Sequence, residues 1–522
     1  MESRHLEALL NPGAYEEPTT SVRLLQTHVS FLFLTDTFVY KIKKPVDFGF
    51  LNFVTLDRRR FYCEEEVRLN RRLCPDLYLG VVEVRESPSG ARFFGHGTVI
   101  DYAVKMKRLP AERMLDRLLA EDLVDEGDIR RIARVVGEFH LSAEGSKEID
   151  SYGSIEVIRR NWLENFQQVE PFVSRTLTEA DLHFIRAWAE RFLEEHRELF
   201  AERVVGGFVR DCDGDIHSEN ICLAERVYIF DCIEFNARFR FSDTAADVAF
   251  LLMDLEYRGR RDLAEILLRE YCAVTGDTGM LEVLDFYRVY RAFVRGKVES
   301  FRLDDPLIDA REKVLAQERA SRYFRLARGL IHRRTLAPCL VIFCGLMGVG
   351  KSTLARELSF ELGFELLSSD ILRKELAGLP KTARCHDGYN QGIYSPEFTR
   401  QTYREMFRRA EQALRGGRGV VLDASFSRRD ERLEAAALAR RMGVRLRLFT
   451  VRCPDDTARK RLELRQDDSA EASDGRWELY YRQKNDFEPL VSPHESWEEI
   501  DTARPVEENI VRVRRIMEGS EA

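Results

Sequence analysis

The stretch CLVIFCGLMGVGKSTLARELSFEL, residues 339–362, decides the fold of the C-terminal half. It starts as an apolar run typical of a buried strand, continues as GLMGVGKS, which satisfies the pattern GxxxxGK[ST], and then takes on helical spacing. In this context the backbone N–H groups of a glycine-rich loop surround phosphate groups at the start of a helix. The sequence therefore predicts an ATP·Mg²⁺ site, with Lys351 on the β and γ phosphates and Ser352 on the metal, formed by Gly345, Leu346, Met347, Gly348, Val349, Gly350, Lys351, Ser352 and Thr353.

Beyond this stretch, apolar runs alternate with segments of helical spacing. FELLSS, GVVLDASF and VRLRLFTV are interpreted as strands, and helices are expected to begin near Ile371 and Arg429. Strands that are separated by helices pair in parallel, with helices on both faces of the sheet. Residues 338–522 are therefore predicted to form a P-loop NTPase α/β domain with a parallel sheet.

Two of these strands end in residues that are suited to phosphoryl transfer. SSDILRK places Asp370 and Arg373 where an α/β sheet presents its ligand crevice. Asp370 can take a proton from an attacking hydroxyl, or it can simply cap a helix, and Arg373 can bind an anionic group. VVLDASF places Asp423 at another strand end, as a carboxylate beside Mg²⁺, as a partner of Arg373, or as a strand-terminal cap.

A later helical segment, ARKRLELRQ, carries Arg461 and Arg465 four residues apart on one face. The pair is suited to close over a transferring phosphoryl group, and a solvated charged face is the alternative. The phosphate loop, the DxxR motif, the strand-terminal Asp and this arginine-rich helix together resemble the kinases of the polynucleotide-kinase and zeta-toxin group, over residues 338–505. The resemblance implies that Asp370 is the general base. It leaves the acceptor open between a nucleic-acid 5′ end, a nucleotide sugar and another small alcohol.

The N-terminal half has a different pattern. From Ser21 to Lys44 the residues alternate as in a β-hairpin with its turn at 35–37, a helix is expected over 57–73, and a strand over 102–110. Helical spacing follows up to about Leu330, apart from a compact segment with two short strands. Because periodicity lapses around IHRRTLAP, residues 331–338, a β-rich lobe and a helical lobe are predicted to form one α+β domain over residues 1–335.

The compact segment, residues 207–235, contains DGDIHSENICL and VYIFDCIEF. They place Asp215 five residues before Asn220, and Asp231 at the end of the following strand. An aspartate that deprotonates an acceptor hydroxyl, together with an Asn and a second Asp on Mg²⁺, is what a kinase-fold site requires. Ordinary turn residues are the alternative, since Asp and Asn favour turns.

This segment resembles the aminoglycoside-phosphotransferase and choline-kinase-like family, whose HGDxxxxN loop and later Asp match at Asp215, Asn220 and Asp231. The resemblance implies a protein-kinase-like α+β fold that uses ATP and Mg²⁺. Asp213 stands in place of the family's His and is expected to add negative charge beside the base. Downstream, Asp243 and Asp247 either brace the loop or are the N-terminal charges of a helix.

Lys41, at the end of the second predicted strand, is the candidate for binding the ATP phosphates in this half. Glu66 shares a helical face with Leu69 and Leu73 and is its candidate partner. Lys43, Glu64 and Glu65 are close competitors, and ordinary surface charges are the alternative for both positions.

Length and composition limit the class of protein. A chain of 522 residues with 44% apolar and 33% charged residues is expected to fold into at least two domains. A net charge of -8 argues against a protein that coats nucleic acid, because such binding needs an excess of Lys and Arg. No signal-like or membrane-spanning apolar run occurs, so a cytoplasmic protein without a membrane partner is expected, with its ten cysteines reduced.

These observations favour an ATP-dependent kinase that moves the γ-phosphoryl group to a hydroxyl of a small molecule and has a second kinase-like site. A nucleic-acid partner is possible but not favoured. A polynucleotide 5′-hydroxyl kinase therefore stays open as an alternative, as does a non-enzymatic ATP-binding regulator with an N-terminal pseudokinase. The oligomeric state and the acceptor stay open.

Overall fold

A computed structural model describes residues 1–49, 51–87, 90–306, 308–380, 383, 385, 390–466, 473–491 and 496–518, without side chains at 87, 465 and 466. The chain forms two compact units, Met1–Ala327 and Arg328–Ala522. The division falls inside a helix, and the domain limits drawn from the sequence, 1–335 and 338–522, stay predictions. Within the described residues, no helix has both the length and the apolar character needed to cross a membrane.

The first unit begins with a six-stranded antiparallel sheet of order β1-β2-β3-β6-β4-β5. Its strands are β1 (Arg23–Gln26), β2 (Ser30–Leu34), β3 (Phe38–Lys43), β4 (Tyr78–Ser87), β5 (Gly90–Arg92) and β6 (Thr98–Lys107). The predicted turn at 35–37 does join β2 to β3, but the predicted hairpin is wrong in its first half. There the Thr27 hydroxyl accepts the Ser30 N–H at 2.9 Å and closes a second turn, which makes β1 a strand of its own.

Helices make up most of the rest of this unit. They are α1 (Ser3–Leu9), α2 (Leu56–Asn70), α3 (Leu115–Ala120), α4 (Glu126–Ser142), α5 (Lys147–Asp150), α6 (Ile155–Val169), α7 (Glu179–Glu195), α8 (Arg197–Val205), α9 (Ala237–Arg240), α10 (Thr244–Tyr257), α11 (Arg261–Thr275), α12 (Leu281–Phe301) and α13 (Ala310–Arg333), which continues into the second unit. Helix α10 is buried from Thr244 to Glu256, so it is apolar nearly all round and forms the centre of the helical lobe.

Two short ribbons lie between these helices and position the compact segment. One pairs β7 (Val209–Asp211) with β10 (Phe241–Asp243), and the other pairs β8 (Ile221–Leu223) with β9 (Val227–Ile229). The segment thus has three strands of its own, where the sequence predicted two. An antiparallel sheet followed by a helical lobe agrees with the predicted α+β class, while the protein-kinase-like assignment of this unit stays a prediction.

The second unit is built on a five-stranded parallel sheet of order β12-β13-β11-β14-β15. The strands are β11 (Cys339–Cys344), β12 (Glu365–Ser368), β13 (Val420–Asp423), β14 (Arg445–Arg452) and β15 (Glu498–Asp501). The helices are α14 (Lys351–Leu362), α15 (Ser369–Leu376), α16 (Pro396–Arg415), α17 (Arg429–Met442), α18 (Asp455–Gln466), α19 (Trp477–Asp486) and α20 (Val506–Glu518). The predicted P-loop α/β fold with a parallel sheet is confirmed, and β15 is an addition to it.

Strand register in this sheet brings three chain segments to one edge. Asp423 pairs with Phe343 of β11 on one side and with Ser368 of β12 on the other. A buried apolar cluster covers each face of the sheet, one with Leu340, Ile342 and Phe407, the other with Val341, Phe343 and Leu358. Because both faces are covered, ligands reach the sheet at the carboxyl ends of its strands.

The end of α13 packs against the phosphate-loop helix α14. A Cβ atom placed on Gly329 would lie 1.9 Å from the Glu361 carbonyl oxygen. Beside it, Arg328 Nη2 donates to Glu361 Oε2 at 2.8 Å in a buried ion pair, and Arg333 Nη2 donates to the Phe360 carbonyl at 2.9 Å. Arg333 of α13 therefore satisfies carbonyls in the last turn of α14, and the helices approach closely because residue 329 is glycine.

We expect Gly329→Ala to destabilise this packing by about 3 kcal/mol, the upper range for overpacking, since the clash is with backbone and outweighs the gain of ~1 kcal/mol in helix propensity. Hydrogen–deuterium exchange of residues 351–362 should accelerate. Glu318→Ala, an exposed change on the same helix, is the control and should alter stability by less than about 0.5 kcal/mol. Unchanged exchange in the glycine variant would contradict the close packing.

Candidate active sites

The phosphate loop follows β11 and ends where α14 begins. Its glycines have backbone angles that suit glycine, with φ of 151° at Gly345, 77° at Gly348 and 95° at Gly350. A Cβ on Gly345 would lie 2.5 Å from the Val451 carbonyl oxygen, and one on Gly348 would lie 2.9 Å from that of Ala458. Both the conformation and the space therefore require glycine, as the motif predicted.

The start of α14 lies against the strand-terminal carboxylate. Asp423 accepts a hydrogen bond from the Ser352 side chain and is close to Lys351. Burial raises the pKa of Asp423, while Lys351 and Ser352 oppose that rise. The Lys351 ammonium donates to the Leu346 carbonyl at 2.7 Å. A hydroxyl and a carboxylate side by side are oxygen ligands of the kind that Mg²⁺ prefers, so these residues fit the predicted metal position.

A cavity of about 670 Å³ opens in front of the loop. It is lined by loop residues and by side chains of α15, α16 and α17, among them Lys351, Ser352, Asp370, Arg373 and Asp423. These five predicted residues are thus brought into one cavity by the sheet register. The volume is in the range of small-molecule sites.

Asp370 is the second residue of α15, and Ser368 occupies the N-cap position instead. The carboxylate is half-buried and makes no hydrogen bond with the described residues. Its charge contributes to raising the pKa of Asp423, after burial, and likewise that of the Tyr394 hydroxyl. The helix-capping alternative therefore does not explain Asp370, which faces the cavity.

Arg373 is buried and lies 4.7 Å from the Tyr394 ring centroid. Its Nη1 donates to the Ile393 carbonyl at 2.8 Å and to the Thr399 hydroxyl at 3.0 Å. The suggested pairing of Arg373 with Asp423 is thus replaced by contacts that tie α15 to the start of α16. The Nε of Arg373 is buried without a partner among the described residues.

Arg461 lies beside the phosphate loop, since a Cβ on Gly350 would be 3.2 Å from its Nη1. It donates to the hydroxyl and to the carbonyl of Thr502 at 3.0 and 2.8 Å, and that hydroxyl donates to the Val349 carbonyl at 2.6 Å. Arg461 does not line the cavity in this structure, and its closure over the phosphoryl group stays a prediction. The side chain of Arg465 lies outside the described residues.

Two residues that support the loop were not predicted. Gln483 of α19 accepts the Met347 N–H at 2.8 Å, and Thr502 follows β15. Neither residue belongs to a recognisable motif, and β15 itself carried no clear sequence signal. Only the packing of distant segments against the loop reveals them.

In the first unit, the structure brings Lys41 and Glu66 together as predicted from the sequence. Lys41 Nζ lies 2.9 Å from Glu66 Oε1 and 2.5 Å from Asp231 Oδ1. Lys43, the competing candidate, also pairs with Glu66, at 2.6 Å, and with Glu234. The buried network thus combines two lysines with three carboxylates, and Glu234 is a member that the sequence analysis missed.

Glu66 is fully buried in this network. Burial alone would raise the pKa of Glu66, but the charges of Lys41 and Lys43 outweigh it and lower the pKa to about 2. The other competitors, Glu64 and Glu65, pair with Arg60 and Arg68 on the exposed side of α2. Of the three glutamates, only Glu66 therefore lies on the inward face of α2, where it can pair with Lys41.

The predicted loop residues Asp215 and Asn220 are in contact. Asn220 Nδ2 donates to Asp215 Oδ2 at 3.1 Å, and Phe230 N–H donates to the Asn220 carbonyl at 3.0 Å, which ties the loop to the residue before Asp231. Burial raises the pKa of Asp215, but His217 and then Arg295 reverse the effect, so the pKa is lowered. Asp231 has a φ of 67°, an uncommon conformation for a non-glycine residue that turns the chain beside Lys41.

Asp247 braces this loop. Its two carboxylate oxygens accept the N–H groups of Asp213 and Gly214, both at 2.9 Å. His140, which makes a hydrogen bond to the Tyr271 hydroxyl at 2.8 Å, also contacts Asp247, at 3.2 Å. Asp243 has another role, since it pairs with Arg203 at 2.6 Å. Of the two predicted bracing residues, only Asp247 contacts the loop.

Asp213, which stands where the resembled family has a His, contacts the proposed base through the backbone. Asp213 is buried, and its Oδ1 accepts the Asp215 N–H at 3.1 Å. Burial and the neighbouring Asp247 hold the pKa of Asp213 well above its ordinary value. The carboxyl therefore positions the backbone of Asp215, and burial disfavours its charged form.

Comparisons with known proteins found similarity to one family model and to uncharacterized relatives. A family model described as an AAA domain matches residues 340–490. Uncharacterized proteins of Mycobacterium tuberculosis and Mycobacterium bovis are 31% identical over 423 residues, which is 81% of this chain and 81% of each relative.

Solved structures that match the chain include small-molecule kinases. A gluconokinase from Sinorhizobium meliloti is 17% identical and covers 35% of this chain and 96% of its own, with a TM-score of 0.26. An APS kinase from Mycobacterium tuberculosis, in complex with AMPPNP and APS, is 18% identical and covers 35% of this chain and 99% of its own, with a TM-score of 0.26.

Because Glu66 compensates two buried lysines, Glu66→Gln should destabilise the first unit by about 3–5 kcal/mol. The folded pKa of about 2 lies below the ordinary 4.5, so the stabilisation is present above pH 4.5 and is lost as the pH falls toward 2. Calorimetric unfolding from pH 7 to pH 2 should show the gap between wild type and variant narrowing in that window. Glu64→Gln, an exposed control, should leave a gap of less than about 0.5 kcal/mol; a gap independent of pH would refute the ionised network.

Proposed function

We propose that this chain, which belongs to the same family as the uncharacterized mycobacterial proteins, is an ATP-dependent phosphotransferase with a small-molecule hydroxyl as acceptor. Those proteins align with 81% of its length. The observation that carries the proposal is one cavity that contains the phosphate-loop Lys351, the Ser352–Asp423 pair and the carboxylate of Asp370. Lys351 and the Ser352–Asp423 pair are suited to bind a triphosphate and its metal. Asp370 is suited to activate an acceptor hydroxyl, which a regulator that only binds ATP would not need.

Transfer by the C-terminal unit is assigned to these residues as follows. Asp370 accepts the proton of the acceptor hydroxyl, whose oxygen forms a bond to the γ-phosphorus while the bond from that phosphorus to the β–γ bridging oxygen breaks, and ADP leaves. Lys351 and the loop N–H groups stabilise the charge on the phosphate oxygens. Mg²⁺, held through Ser352 and Asp423, would neutralise phosphate charge. Arg373, which also lines the cavity, helps to hold the acceptor in position.

A second, kinase-like site is proposed in the first unit, with the protein-kinase-like fold that its motifs predict. Asp215 is the base, Asn220 and Asp231 are the metal ligands, and Lys41, held by Glu66, binds the ATP phosphates. The support is geometric: the loop that holds Asp215 is braced by Asp247, and Lys41 lies between Glu66 and Asp231. Asp213 also supports this loop, since its Oδ1 accepts the Asp215 N–H.

Single variants distinguish the transfer activity of one site from that of the other. With ATP labelled on the γ-phosphate and a metabolite extract as the source of acceptors, Lys351→Ala should remove transfer by the C-terminal unit and Asp215→Ala that by the N-terminal unit. The double variant should release no ADP above background. Undiminished ADP release by the double variant would show that neither site is an enzyme site.

In the Asp215→Ala background, Asp370→Asn should lower C-terminal transfer by about 10²- to 10⁴-fold, the usual contribution of a general base. Its affinity for AMPPNP, measured by calorimetry, should stay within about twofold, since the amide keeps the shape of the carboxylate. Asp456→Asn, an exposed change on α18, is the matched control. Transfer by Asp370→Asn at the wild-type rate would exclude Asp370 as the base.

A further inference from the structure

Helix α16 forms one wall of the C-terminal cavity and carries five arginines. Three of them have carboxylate partners: Arg408 pairs with Glu405, Arg409 with Glu405 and Glu375, and Arg415 with Glu411. The other two, Arg400 and Arg404, line the cavity and form no hydrogen bond or ion pair with any described residue. The two arginines that face the cavity are thus the two whose charge is not compensated.

Arg400 and Arg404 are four residues apart, so they lie on one face of the helix, above the same part of the cavity. Arg373 reaches the same wall, because its Nη1 donates to the hydroxyl of Thr399, the residue before Arg400. Its buried Nε lacks a partner among the described residues, and burying an N–H without a hydrogen bond is unfavourable. Three arginines thus line the same cavity, where an anionic group would be a suitable hydrogen-bond partner for them.

Two acidic residues of α17 also line the cavity, beside Arg428 at the start of that helix. Asp430 and Glu434 lie four residues apart on α17, and both are exposed. Ionised carboxylates only accept hydrogen bonds, and the hydroxyls of a polyol or sugar are suitable donors. Asp370, the proposed base, lines the same cavity and also needs a hydroxyl.

From the unpaired arginines of α16 and the exposed carboxylates of α17 we infer that the acceptor of the C-terminal site is a small polyhydroxy compound with an anionic group. Arg400, Arg404 and Arg373 bind the anion, which is a phosphate, sulfate or carboxylate, and Asp430 and Glu434 accept hydrogen bonds from its hydroxyls. The inference rests on the proposed phosphotransferase function and deepens it by naming the acceptor class. A cavity of about 670 Å³ suits a nucleotide with such an acceptor, whereas a nucleic-acid strand needs a longer basic groove.

The first test determines whether the acceptor is anionic, and it does not require the acceptor to be identified beforehand. A metabolite extract is treated with nuclease, separated by anion exchange and supplied, fraction by fraction, to the Asp215→Ala protein with γ-labelled ATP. Labelled product is expected only from the retained, anionic fractions. Product from the unretained, neutral fraction, or loss of all acceptor activity on nuclease treatment, would overturn the inference.

The second test measures the anion site itself, with inorganic sulfate as the probe in the presence of AMPPNP and Mg²⁺. Charge-assisted hydrogen bonds contribute about 1.5–3 kcal/mol, so Arg404→Gln and Arg400→Gln should each weaken sulfate binding about tenfold or more in calorimetry. Arg404→Lys should retain part of the affinity, since it keeps the charge but loses the planar fork. Arg408→Gln, on the same helix but paired with Glu405, should bind sulfate as wild type does.

The two tests separate this inference from the function on which it rests. If no fraction yields labelled product, the proposed transfer fails, and the sulfate titration still decides whether the anion site exists. If the glutamine variants at 400 and 404 bind sulfate as tightly as Arg408→Gln, the anion site is refuted whatever the transfer assay shows.

Discussion

Both units depend on the same constraint: a carboxylate taken out of water must be compensated by cations or hydrogen-bond donors that the fold places beside it. In the second unit, Ser352 and Lys351 oppose the burial of Asp423 at the carboxyl end of the central strand. In the first unit, Lys41 and Lys43 outweigh the burial of Glu66. Without this compensation the start of α14 and the inner face of α2 would be destabilised, and both belong to the sites that we propose for phosphate binding.

The same contacts therefore serve stability and function. Lys41 neutralises Glu66 and Asp231 in the folded chain, and it is also the group that we propose for the ATP phosphates. Asp247, buried within α10, accepts the consecutive N–H groups of Asp213 and Gly214 and so fixes the chain just before Asp215. Substitutions at such residues are expected to lower stability and activity together, so only near-isosteric changes separate the two effects.

The two candidate sites differ in how their charges are balanced. In the first unit, cations and carboxylates pair with each other within the buried network. In the second unit, Arg400 and Arg404 of α16 and Asp430 and Glu434 of α17 line one cavity, and the two arginines have no ion-pair partner among the described residues. These charges are the physical basis for proposing an anionic, hydroxyl-rich acceptor for the second site.

Sequence alone determined the features that depend on local spacing. It predicted the glycines at 345, 348 and 350 and the alternation of strands and helices after residue 339. It also gave the candidates Asp215, Asn220, Asp231, Lys41 and Glu66. These features could be predicted because neighbouring residues encode backbone conformation and helical or strand periodicity. Strand β15 and the first turn of the N-terminal sheet were not predicted, since their signals are short and weak.

Tertiary structure decided what depends on segments far apart in the chain. It paired Arg461 with Thr502, gave Arg373 partners on α16 in place of Asp423, and added Gln483 and Glu234 to the two sites. It also placed both Lys41 and Lys43 against Glu66, where the sequence left them as competitors, and it buried Asp213, which raises the pKa of that carboxyl. The physical reason is that partners, burial and pKa values are set by which side chains meet after folding, and spacing along the chain does not contain that information.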